Sequence, residues 1–108
     1  MANAENIVPV DDGDYEQTIE NERLVLLYYW ADWCGPCHAL TPVLNELATE
    51  HPGLVIARLD ADENETAVED YGVESIPTMI LFKNGEPVEV FVGKVPYAKL
   101  ESGVENYK

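Results

Sequence analysis

Basic residues are the scarcest class in this chain: six Lys and Arg stand against 21 Asp and Glu, a formal net charge of -15 at pH 7. A surface of that sign repels nucleic-acid phosphates and anionic lipid headgroups, so no nucleic-acid or membrane partner is expected. Long apolar runs are also missing, since none approaches the roughly 20 residues that span a bilayer. The opening MANAENIVPVDDGDYE has neither the basic segment nor the apolar stretch of a signal peptide, which makes the cytoplasm the expected compartment. No repeat, linker or low-complexity stretch divides the chain, and 108 residues suit one domain, 1–108. The acidity itself has two readings: adaptation to high salt, where self-repulsion is screened, or an ordinary acidic surface.

Cysteine is nearly absent, and this excludes a disulfide framework. The two present, Cys34 and Cys37, lie two residues apart in WADWCGPCH, residues 30 to 38. In a reducing compartment such a pair points to redox chemistry or metal. Zinc normally takes four ligands, and only His38 and His51 could add nitrogens. His51 falls about four turns further along the predicted helix, too far to share an ion with the cysteines. The C-x-x-C-H spelling also fits covalent haem, which would need an axial ligand opposite His38. Met79 is the only internal methionine, and it falls in a predicted core strand as filler. A redox dithiol is the reading that remains, with no metal and no cofactor.

Ile7, Val8 and Val10 suggest a first strand, and Asp11, Asp12 and Asp14 offer N-caps for a short helix carrying Tyr15, Thr18 and Ile19. LVLLYYW, residues 24 to 30, reads as a central strand covered on both faces. Leu40, Val43, Leu44, Leu47 and Ala48 recur at helical spacing, with Pro42 predicting a kink and His51-Pro52-Gly53 a stop. LVIARL, residues 54 to 59, completes a βαβ unit with the cysteines at the turn into its helix. Residues 63 to 71 suggest a helix closed by Gly72. TMILF and VEVFV, residues 78 to 82 and 88 to 92, read as a hairpin turned at Asn84-Gly85. Tyr97, Leu100, Val104 and Tyr107 mark a final helix, which Gly103 weakens.

At the N-terminus of a helix, Cys34 would face unpaired N–H groups and the positive end of the helix dipole, both of which favour thiolate. Cys37 shares the buried face of Leu40 and Leu44. An exposed nucleophile and a sheltered partner are therefore expected: Cys34 attacks a disulfide, and Cys37 resolves the mixed disulfide. Gly35 lets a substrate backbone come close, and Pro36 suits the first turn. Trp33 reads as contact surface beside an exposed cysteine, and His38 as an exposed helix residue.

With W-C-G-P-C at 33 to 37, Pro42, I-P-T at 76 to 78, K-N-G at 83 to 85 and V-G at 92 to 93, the sequence resembles the thioredoxin family over nearly its whole length. The resemblance implies an α/β, thioredoxin-like fold, a central mixed β-sheet of about five strands flanked by about four helices. It implies a cis bond at Pro77 and a substrate groove of Trp33, Ser75, Ile76, Pro77, Val92 and Gly93. In the family, the backbone before that proline pairs with an extended substrate chain. The implied activity is reduction of protein disulfides, Gly35-Pro36 being the family's reducing pattern. The implied electron donor is a flavin-containing thioredoxin reductase, and a monomer is expected. The rival function is a thioredoxin-like binding module or assembly subunit, against which the retention of both cysteines speaks.

Tyr28 departs from the family pattern. It occupies the place, two residues before Trp30, where most thioredoxins carry a buried aspartate that moves a proton for the resolving cysteine. Arg58 thereby loses the partner expected of a cation at its position. The phenol of Tyr28, water, or Arg58 acting electrostatically are the open substitutes.

One consequence of the charge is measurable at once. Sodium chloride added to about 1 M should raise the melting temperature at neutral pH, by screening self-repulsion. A flat or falling response would contradict it.

Overall fold

The computed structural model describes residues 4–108. In chain order its elements are β1 (Ile7–Val10), α1 (Tyr15–Asn21), β2 (Leu24–Trp30), α2 (Gly35–Glu50), β3 (Val55–Asp60), α3 (Glu65–Asp70), β4 (Thr78–Lys83), β5 (Glu86–Val92) and α4 (Tyr97–Tyr107). The strands form one sheet in the order β1-β3-β2-β4-β5. β1, β3 and β2 run parallel, β4 is antiparallel to β2, and β5 to β4. This is the mixed sheet flanked by helices that the thioredoxin-like reading requires.

The unbroken apolar run of β2 is explained by its place in the middle. Leu24, Leu26 and Tyr28 pack with Leu40, Leu44 and Leu47 of α2 and with Leu100 and Val104 of α4. The alternate residues Val25, Leu27 and Tyr29 pack with Tyr15 and Ile19 of α1 and Ala67 of α3. Side chains of a strand alternate between faces, so a strand covered on both needs no polar positions. α2 runs through Pro42 as one element and closes where the His51 N–H donates to the Leu47 carbonyl at 3.0 Å. The β4–β5 turn has φ of +52° at Asn84 and +84° at Gly85, the pair of positive values that a type I′ hairpin uses. Gly103, the weak point of the final helix, has a packing reason. A Cβ there would lie 2.7 Å from Phe91 Cζ, so glycine lets α4 settle onto β5. Among the described residues no helix is long and apolar enough to cross a membrane.

The aspartates before α1 do not cap it as expected. Asp14 holds the cap position without a side-chain capping bond, and its carboxylate accepts the Asp11 N–H at 2.7 Å instead. Asp12 serves a different helix. Its carboxylate accepts the Thr66 and Ala67 N–H groups of α3 at 3.2 and 2.8 Å, while its own N–H donates to Asn64 Oδ1 at 2.8 Å. A helix of only six residues has little packing of its own, so satisfying its first-turn donors counts for more. Asp12→Ala should therefore lower the unfolding free energy by about 1 kcal/mol. Denaturant melts measure this, and Asp14→Ala should cost α3 nothing.

Candidate active site

β2 ends at Trp30, and Ala31, Asp32 and Trp33 turn the chain into α2. Cys34 holds the cap position in an extended conformation (φ -87°, ψ 101°), and Pro36 falls within the first turn. The Cys34 N–H donates to the Ala31 carbonyl at 3.1 Å, and the His38 N–H to the Cys34 carbonyl at 3.2 Å. The Cys37 N–H donates to Cys34 Sγ at 3.2 Å. That contact fills the role an Asp or Ser oxygen plays at other helix starts. The two cysteines are joined as a disulfide.

Burial departs from the sequence expectation. The sequence predicts an exposed Cys34 and a sheltered Cys37, yet they are 3% and 1% exposed. The reason is the cap: Cys34 folds its sulfur back over the first turn, and the disulfide holds it there. The exposed surface of the motif is carried by Trp33, Gly35 and Pro36.

Beneath the pair, Tyr28 points at the start of α2. Its hydroxyl donates to the Cys37 carbonyl at 3.0 Å, and Thr41 Oγ1 approaches the same oxygen at 3.4 Å. Burial pushes the Tyr28 phenol up to about 12, with Arg58 pulling the other way. Arg58 has found another partner: its guanidinium lies over the Trp30 ring, 4.7 Å from the centroid. Among the described residues no carboxylate forms an ion pair with it. Tyr28, Arg58 and Cys37 line one cleft of about 290 Å³, together with Asp32 and His38.

Four of the six predicted groove residues line two neighbouring clefts, and Pro77 and Gly93 line neither. Trp33, Ser75 and Ile76 line one of about 220 Å³, and Ser75 and Val92 share a second of about 270 Å³. The Ile76–Pro77 bond is cis. The Gly93 N–H donates to the Pro77 carbonyl at 2.8 Å from a backbone with φ of +86°, a conformation that suits glycine. The Ile76 backbone lies just before β4 and joins none of the turn, loop or ladder hydrogen bonds among the described residues. Trp33 is 70% exposed. Its indole N–H donates to Asp62 Oδ2 at 2.8 Å, a partner no local pattern announced because 29 residues separate the two. No group of three or more His, Cys, Asp or Glu able to hold a metal occurs among the described residues. His51, the second nitrogen weighed for zinc, is buried at the far end of α2 against Glu101.

A family model described as Thioredoxin matches residues 6–106. The chain is 44% identical to a thioredoxin of Alicyclobacillus acidocaldarius subsp. acidocaldarius over 92 residues, 84% of this chain and 88% of that one. It is also 44% identical to a thioredoxin of Staphylococcus epidermidis over 102 residues, 94% of this chain and 97% of that one. A solved mutant thioredoxin from Halobacterium salinarum NRC-1 superposes with a TM-score of 0.88 at 35% identity, covering 99% of this chain and 95% of that one. Matches of this breadth, meeting a C-G-P-C pair at the cap of α2, settle both kinship and chemistry: the chain belongs to the thioredoxin family and is a thiol–disulfide oxidoreductase that reduces protein disulfides.

Proposed function

We propose that the chain acts as a single-domain, monomeric carrier of reducing equivalents, with Cys34 as the attacking thiol and Cys37 as the resolving one. The observation that carries this assignment is the bond from the Cys37 N–H to Cys34 Sγ at the cap of α2. A sulfur that accepts a backbone N–H at the positive end of a 16-residue helix is stabilised as thiolate. Cys37, inside the first turn, has no such place. Cys34 thiolate attacks one sulfur of a substrate disulfide, and the other sulfur leaves as thiolate. Cys37 then gives up its proton and attacks Cys34. The bond from Cys34 to the substrate breaks, the substrate departs with both sulfurs reduced, and the intramolecular disulfide remains.

The groove supports this order of events. The substrate groove is assigned to Trp33, Ser75, Ile76, Pro77, Val92 and Gly93, where the free Ile76 backbone can bond an extended substrate segment as a strand would. Gly35 leaves open space on the exposed side of the motif, where a substrate backbone can come close. Reduction back to the dithiol is assigned to a flavin-containing thioredoxin reductase, and the compartment to the cytoplasm. Tyr28 acts as a positioning residue: it ties β2 to the first turn of α2. A phenol whose proton is held up to about pH 12 is not a base for Cys37 at neutral pH. Arg58 completes the wall beside it through its contact with Trp30.

Alkylation of the reduced protein at neutral pH should label Cys34 well before Cys37. Cys34→Ser should abolish turnover, and Cys37→Ser should accumulate a mixed disulfide with substrate. Equal labelling rates would overturn the roles.

For Tyr28, Tyr28→Phe should cost about 1 kcal/mol at neutral pH, the worth of one lost hydrogen bond. The folded phenol titrates near 12 against a reference of 10.0. A raised folded value means the stability from this group is complete below pH 10 and is lost as pH rises through 12. The gap between parent and variant should therefore narrow across that window, as denaturant melts at stepped pH would read. A constant gap would show that the hydroxyl is not buried.

A further inference from the structure

The resolving step needs a base for the Cys37 proton, and the buried position beneath it holds a phenol. We propose that His38 is that proton acceptor, working through the cleft it shares with Cys37; this rests on the assignment of Cys37 as the resolving thiol. The ionisable side chains lining the cleft of about 290 Å³ are Cys37, Tyr28, Asp32, His38 and Arg58, with Trp30 and the Thr41 hydroxyl, too weak a base to hold the proton, completing its wall. Two of them are eliminated by chemistry. Tyr28 already donates to the Cys37 carbonyl, and its phenol holds its proton to about pH 12. The Arg58 guanidinium has no lone pair to offer.

His38 is prepared for the task by its own hydrogen bond. Nε2 lies 2.6 Å from the Asp32 backbone carbonyl. A carbonyl oxygen only accepts, so Nε2 carries the hydrogen. That tautomer leaves the lone pair on Nδ1, where a neutral ring can take a proton. The Asp32 carboxylate, on the same cleft, is the competing acceptor. The two are separated by experiment, since each can be replaced by its own amide or amide-like side chain.

The step balances without any further reagent. The Cys37 S–H bond breaks as its proton passes to Nδ1, directly or through one water. The freed electron pair forms the bond to Cys34 Sγ. The bond from Cys34 to the substrate sulfur breaks, the substrate leaves as thiolate, and His38 later returns its proton to solvent. The ring is exposed, so that return is unobstructed.

The test mixes fully reduced protein with excess of a coloured aromatic disulfide in a stopped-flow instrument. One thiolate is released when Cys34 attacks, at a rate proportional to reagent concentration. A second is released when Cys37 resolves, independent of that concentration. His38→Gln keeps a donor for the Asp32 carbonyl but cannot accept a proton. It should leave the first phase unchanged, slow the second at least about tenfold, flatten its rise with pH, and be partly rescued by free imidazole. Asp32→Asn should leave both phases intact. A second phase in His38→Gln equal to the parent's at every pH, or slowed only by Asp32→Asn, would overturn the proposal. A parent that shows no first phase at all would instead overturn the assignment of Cys34.

Discussion

Strand β2 is hydrogen-bonded on both edges and covered on both faces, and the site depends on that confinement. With β3 on one side and β4 on the other, its register is fixed along its whole length. A one-residue slip would exchange the sets facing α2 and α1, so the packing locks it. The strand delivers the chain to Cys34 at a set height above the sheet. The Tyr28 hydroxyl then ties that strand to the Cys37 carbonyl, nine residues on. The first turn and the cleft beneath it are thus tied to a fully paired strand across a turn of only a few residues.

Tyrosine in that strand changes what the fold can offer the reaction. A carboxylate there would be desolvated, and a chain of net charge -15 would penalise it further. A phenol avoids both costs and adds a directional bond, but it gives up the proton reservoir. The core at this position offers no acid to the resolving thiol, and the ionisable groups nearest it on the cleft wall are Asp32 and His38. Arg58 follows the same logic: without a buried acid to face, it lies on the Trp30 ring, and the contact stays favourable without desolvating an ion pair.

What the sequence revealed was local. The run at 24 to 30, the helical stripe from Leu40 to Ala48, the Asn84-Gly85 turn and the C-G-P-C spacing all state their structure within a few residues, and each stands where it was read. What it concealed was partnership across the chain. Three aspartates before α1 suggest a cap for α1, and nothing nearby says that Asp12 reaches α3, 54 and 55 residues away. Tyr28 signals a lost acid, but not the carbonyl it binds. Cys34 reads as exposed because caps usually are. Its burial follows from a sulfur that folds back onto its own helix, which spacing does not encode. Gly103 looks like a flaw in a helix until the Phe91 ring is placed against it.

The acidic surface bears on which disulfides arrive, since few of its carboxylates are paired: the ion-pair contacts among the described residues are His51 with Glu101 and Glu105, and Lys108 with Glu105. Long-range repulsion of acidic partners is a rate effect that salt removes, so it acts on encounter and not on the chemistry at Cys34. The chemistry itself is tested most directly by turnover of a protein disulfide with dithiothreitol as the only electron donor, which needs no native reductase. Repeated turnover per protein molecule across neutral pH, lost when Cys34 is replaced by serine, is the result predicted for a reductase that works without a buried acid. A protein that cycles between dithiol and disulfide yet reduces no more substrate than dithiothreitol alone would contradict it, and would place the fold here as a binding module.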